Sequence, residues 1–180
     1  PFCLIVHAEI PLAEKTSEDV LYNRARIEQQ ISTGVTALKT GLPSIAARII
    51  GQVLEDLPEG DNRAEDLRLK LVTALLAIGK FDEAEKVMAV ELGLDQSVWI
   101  LRRAMLELAL GRKAAAADHL SKVELEALPK GEHCWLFYLR GLLKWDSGEQ
   151  DLGLELMQKA VEHAVFPAQR AQMQLALYQR

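Results

Sequence analysis

Four glycines, Gly41, Gly79, Gly111 and Gly148, stand 38, 32 and 37 residues apart, and the side chains around them recur in register. Five residues after each comes a small one: Ala46, Ala84, Ala116 and Gly153. Nine after each comes a large apolar one: Ile50, Met88, Leu120 and Met157. Three before each stands another, Leu38, Leu76, Leu108 or Trp145, and seven before stands Gly34, Val72, Ala104 or Gly141. A recurrence at intervals near about 34 residues constrains the chain more than its composition does. Each copy is one supersecondary unit that cannot bury its apolar face alone, so the copies must stack.

The unit is helical. Gly and Pro fall at the ends of apolar periodic segments, and no segment combines two-residue alternation with β-branched enrichment. Thr16-Ser17-Glu18-Asp19 reads as a helix start with acidic groups at the positive end of the dipole, and that helix runs to Thr40. Further helices are predicted over 43–57, 64–78, 82–92, 96–110, 113–127, 132–147, 150–165 and 168–180. Short helices joined by short loops lie antiparallel in pairs. A small residue on each partner lets the backbones approach, the large residues fill the space beside the crossing, and glycine supplies the turn.

Gly79-Lys80-Phe81-Asp82-Glu83-Ala84-Glu85-Lys86-Val87-Met88 resembles the turn and second helix of a tetratricopeptide repeat, in which Gly-x-aromatic-x-x-Ala is the most recognisable stretch. Gly34, Gly41, Ala46 and Pro58 of the first unit are similar, as are Gly141, Gly148, Leu154 and Ala160 of the last. The usual tryptophan and tyrosine of the first helix are mostly missing, and unit lengths vary. The resemblance covers about residues 28–180. It implies an all-α fold, a right-handed α-solenoid of antiparallel helix pairs, with first helices lining the concave face. The repeat domain is expected over 17–180, four pairs plus the first helix of a fifth, behind an N-terminal arm over 1–16.

Within that arm, Phe2-Cys3-Leu4-Ile5-Val6-His7-Ala8 is an apolar run closing on Val-x-Ala and followed by polar, proline-containing sequence. It reads as the tail of a secretory signal peptide cleaved after Ala8, or as an N-terminal strand or frayed arm. The first reading sends the protein out of the cytoplasm to a periplasmic or extracellular location in a bacterium; the second keeps it cytoplasmic. With 26 acidic and 21 basic residues the net charge is −5, the wrong sign for a phosphate backbone. Nucleic acid and anionic membrane surfaces are therefore not expected as partners, and since no stretch approaches the roughly 20 apolar residues that cross a bilayer, membrane insertion is not expected either. Cys3 and Cys134 cannot build a disulfide framework or a four-ligand zinc site, and neither CxxC nor HExxH occurs, so no metal or cofactor is expected.

Candidates for catalysis are few. Asp118-His119, Glu162-His163 and Glu132-His133-Cys134 are sequence neighbours on helices, and neighbours point about 100° apart, so none is a ready base–nucleophile pair. Cys134 reads as a packed small residue, with a dipole-activated thiol as the alternative. A helical enzyme would need a pocket enclosing at least two of His119, His133, Cys134 and Glu107. Arg103 and Arg140 stand equally far before Gly111 and Gly148, each four or five residues after a tryptophan, Trp99 or Trp135. A guanidinium at the crossing needs a carboxylate or carbonyl partner, and Glu107 lies one turn beyond Arg103. The pair reads as repeated interunit ion pairing, with groove cations for a ligand carboxylate as the alternative.

The resemblance places Ile31, Val35 and Leu38, then Leu69, Thr73 and Leu76, then Val98, Leu101, Met105 and Leu108 on or beside the concave groove. An apolar groove implies a protein or peptide partner, unless another helix covers it. The expected function is a non-catalytic protein–protein interaction scaffold; the alternative is a recruiting or regulatory domain of a larger enzyme or a secretion or envelope-assembly complex. The amphipathic last helix also implies possible self-association through an uncapped C-terminal repeat.

Overall fold

The computed structural model describes residues 17–89 and 96–180. The expected leader over 1–16, with its cleavage point at Ala8, lies outside the described residues. Among the described residues the fold is all-helical, with no strand. The helices are α1 (Ser17–Lys39), α2 (Pro43–Asp56), α3 (Ala64–Ala77), α4 (Phe81–Met88), α5 (Gln96–Ala109), α6 (Lys113–Ser121), α7 (His133–Asp146), α8 (Gln150–Glu162) and α9 (Pro167–Tyr178), with a 3₁₀ turn at Lys130–Glu132 before α7.

All four glycine turns are built alike. At each, the glycine N–H donates to the carbonyl three residues back and the next N–H donates to the carbonyl four before the glycine, as in Gly148 to Trp145 at 3.1 Å and Glu149 to Lys144 at 3.0 Å. This double closure of a helix end requires left-handed backbone at the glycine, and φ lies between 75° and 91° at Gly41, Gly79, Gly111 and Gly148. The turn folds α1 on α2, α3 on α4, α5 on α6 and α7 on α8.

Three of the recurrent columns are buried throughout: the positions seven before, five after and nine after each glycine. The fourth, Leu38, Leu76, Leu108 and Trp145, is half-buried. Close crossing is visible where the small residue is glycine. A Cβ on Gly34 would stand 2.8 Å from Ile50, and one on Gly141 would stand 2.9 Å from Met157. Each pair also packs on the next, α2 on α3, α4 on α5, α6 on α7 and α8 on α9, and the first helices touch in series, α1–α3, α3–α5 and α5–α7. The buried residues form three clusters; the largest joins α5 through α9.

Three helices stop sooner than their periodicity predicts. α4, expected to 92, ends at Met88, with Ala89 as its C-cap. α6, expected to 127, ends at Ser121, and Val123 and Leu128 drop into the core beyond it. α8, expected to 165, ends at Glu162, and beyond it Pro167 holds Phe166 extended at φ −101°, ψ 143°. The run after α8 then meets the turn between α1 and α2: Lys39 Nζ lies 5.6 Å from the Phe166 ring centre, and a Cβ on Gly41 would stand 3.2 Å from that of Ala168.

Candidate functional site

The expected groove residues divide. Ile31 and Val35 of α1, Leu69 and Thr73 of α3 and Met105 of α5 are half-buried, each keeping some exposure. Leu101 is not a groove residue: it is 0% exposed, sealed in the cluster to which Trp135, Leu139 and the half-buried Leu69 also belong. Val98 is likewise buried. The expectation failed because α3 and α7 both pack against α5, which takes Val98 and Leu101 into the core and leaves Met105 half-buried.

Among the described residues neither Arg103 nor Arg140 meets a carboxylate. Arg103 Nη2 donates to the carbonyl of Met88 at 3.2 Å, at the end of α4. Arg140 Nη2 donates to Leu120 and Val123 carbonyls at 3.1 and 2.8 Å, at the end of α6. Both cap the second helix of the preceding unit, whose last carbonyls have no partner within their own helix. This also accounts for the early end of α6. Burial lowers the pKa of Arg140. Glu107, expected beside Arg103, is paired instead with Arg112 at 3.4 Å.

The deeply buried cation is Arg102, at 4% exposure. Its Nε donates to Thr73 Oγ1 at 2.7 Å and its Nη2 to Glu132 Oε1 at 2.8 Å, tying α3, α5 and the start of α7 together. Glu132 Oε2 is buried without a hydrogen-bond partner. Sequence reasoning passed over Arg102 in favour of its neighbour. The signal was present in the stripe Val98, Arg102, Leu106, three buried positions four apart on one helix.

Cys134 is fully buried, and burial, with the nearby Glu132 carboxylate, pushes its thiol up to about 12. The activated-thiol alternative is thereby corrected: at neutral pH the group is a small apolar residue. His133 Nε2 lies 3.0 Å from the carbonyl of Leu128, and His163 stacks on Phe137 with ring centres 4.9 Å apart.

Two open grooves lie between successive second helices, and none of His119, His133, Cys134 or Glu107 lines either. One, of about 690 Å³, is formed by α2, α3 and α4; the other, of about 620 Å³, by α6, α7 and α8. Their walls correspond position by position when counted from the turn glycines. Ser44, Ala47 and Gly51 take the places of Ala114, Ala117 and Ser121; Leu71 and Leu75 those of Arg140 and Lys144; Lys80 and Val87 those of Glu149 and Leu156. Between α4, α5 and α6 the equivalent place is bridged by Arg112, which reaches Glu85 and Glu107, each at 3.4 Å. Compared with protein-family models, curated proteins and solved structures, the chain matches none.

Proposed function

We propose that this chain is a non-catalytic interaction scaffold, a right-handed array of antiparallel, tetratricopeptide-like helix pairs that holds a protein or peptide segment on the surface lined by its first helices. The observation that carries this reading is the repetition itself: four turns with the same two hydrogen bonds, at Gly41, Gly79, Gly111 and Gly148, set successive first helices in series. A stack of this kind presents side chains with little ordering cost on binding, which is how such an array gains affinity. Ile31, Val35, Leu69 and Met105 are the half-buried apolar side chains that a partner would finish covering. Arg102, fixed from three sides, holds the floor beneath Thr73 and Met105.

The test is crosslinking and mass spectrometry of the protein in its native cell, comparing wild type with Leu69→Asp and Met105→Asp, each first shown by circular dichroism to keep its helices. A partner lost from both variants is the expected result. Identical partners for folded variants would remove the inner surface from consideration.

A further inference from the structure

The two corresponding grooves differ in charge, and the difference is informative because their backbone frame is shared. Around the groove of α6, α7 and α8 the charges are satisfied within the chain. Lys113 meets Asp146 at 2.8 Å, Lys144 meets Glu149 at 2.8 Å, and Arg140 is held by carbonyls. Around the groove of α2, α3 and α4 they are not. Three cations, Arg48, Lys80 and Lys86, face one carboxylate, Glu83, and Lys80 takes that carboxylate at 2.7 Å. Arg48 on the α2 wall and Lys86 on the α4 wall have no partner among the described residues. On a chain of net charge −5 this is a local excess of two positive charges beside an apolar floor of Ala47, Leu71 and Leu75.

Gly51 adds a second, independent observation. It sits inside α2, where glycine costs about 1 kcal/mol relative to alanine. No close approach within the chain requires it: a Cβ there would meet nothing within 4 Å, unlike those on Gly34 or Gly141. The corresponding residues of the next two units are Ala89 and Ser121. Gly51 lines the groove, so its bare backbone leaves that stretch of the wall open.

We infer that the groove of α2, α3 and α4 is a docking site for an acidic amphipathic peptide segment, whose apolar side chains enter over Gly51 and Leu75 while its carboxylates meet Arg48 and Lys86. This surface lies between second helices, so it stands or falls separately from the inner surface proposed above. The pairing of an apolar floor with exposed cations gives a salt-sensitive complex, since both charges are open to screening.

The probe is a fluorescein-labelled peptide of about 14 residues composed of leucine and glutamate, with leucines three and four apart, read by anisotropy against the same peptide with lysine for glutamate. The glutamate peptide is expected to bind, the lysine peptide at least about tenfold more weakly, and salt raised from about 50 to about 300 mM to weaken the first several-fold. Arg48→Glu/Lys86→Glu and, separately, Gly51→Leu are each expected to lower affinity by about tenfold or more, while Ala117→Leu in the corresponding groove leaves it unchanged. Circular dichroism confirms that each variant is folded. Equal binding of both peptides, or indifference to both groove variants, overturns the inference. So does an absence of binding to wild type, the result if the chain's own residues fill the groove. A dimer in sedimentation that Gly51→Leu dissolves, with no peptide binding, assigns the groove to a second copy and overturns it too.

Discussion

Arg112 donates its backbone N–H to the carbonyl of Glu107 at 2.8 Å while its guanidinium lies 3.4 Å from the same residue's carboxylate. One unit later the arrangement returns with the charges exchanged: Glu149 donates its N–H to Lys144 at 3.0 Å and its carboxylate accepts from the ammonium at 2.8 Å. The two residues that close the turn through the backbone thus also close it through their side chains. The sign of the pair is free because only the turn geometry brings the partners together.

The Lys144 ammonium, chiefly by its hydrogen bond, holds Glu149 below the usual glutamate range. A carboxyl group depressed in the folded state adds stability above its unfolded value of 4.5, and that contribution disappears as pH falls through the lower folded value. An NMR titration is expected to place Glu149 below the unpaired glutamates, and Lys144→Met to return it to their range. An unchanged midpoint in that variant would separate the shift from the pair.

Asp61 offers a second titration. Arg63 donates to it from Nε at 2.8 Å, from Nη2 at 2.6 Å and from the backbone at 2.9 Å, holding its carboxyl at about 2. By the same sign, the loop between α2 and α3 keeps this contact until pH falls from the unfolded value of 3.8 toward about 2. Arg63→Gln is expected to raise the Asp61 midpoint in NMR and to shift acid unfolding to higher pH. An Asp61 that titrates with the exposed aspartates in the wild type would refute the assignment.

Two glycine-to-alanine changes are predicted to act in opposite directions. Gly148 has φ 91°, so alanine there forces a side chain into left-handed backbone and costs about 1 kcal/mol. Gly51 lies in regular helix with open space around it, so alanine there adds up to about 1 kcal/mol. Urea midpoints measure both, and a stabilising Gly148→Ala would contradict the turn geometry.

Arg102 is the cation whose removal should matter most. With Arg102→Met the Glu132 carboxylate is left largely buried with neither oxygen paired, at an expected cost of about 3 kcal/mol. Replacing both, Arg102→Met with Glu132→Leu, is expected to recover most of that loss, since no uncompensated charge remains. Denaturant unfolding of the three variants tests this, and a single variant within about 0.5 kcal/mol of wild type would show the pair to be dispensable.

Cys134 should be silent in the folded protein. With its thiol pushed up to about 12, almost no thiolate exists at pH near 8. In a Cys3→Ser background, a disulfide reagent is expected to label nothing until guanidinium unfolds the chain. Rapid labelling of the native protein would show the thiol to be accessible.

What the amino-acid sequence determined by itself is the hairpin. The turn glycines, the small residues at Ala46, Ala84, Ala116 and Gly153, and the large ones at Ile50, Met88, Leu120 and Met157 act within one helix pair. Their hydrogen bonds and crossings depend on neighbours close along the chain. The candidate site was less legible. Which of Arg102 and Arg103 is buried, and that Leu101 is core rather than groove, depends on how α3 and α7 pack against α5. That packing is set by side chains from several helix pairs at once. The contact of Lys39 at the end of α1 with Phe166 before α9 was likewise decided only by the tertiary structure. Local periodicity carries no record of it, because residues over a hundred positions apart meet only after the helices between them have packed.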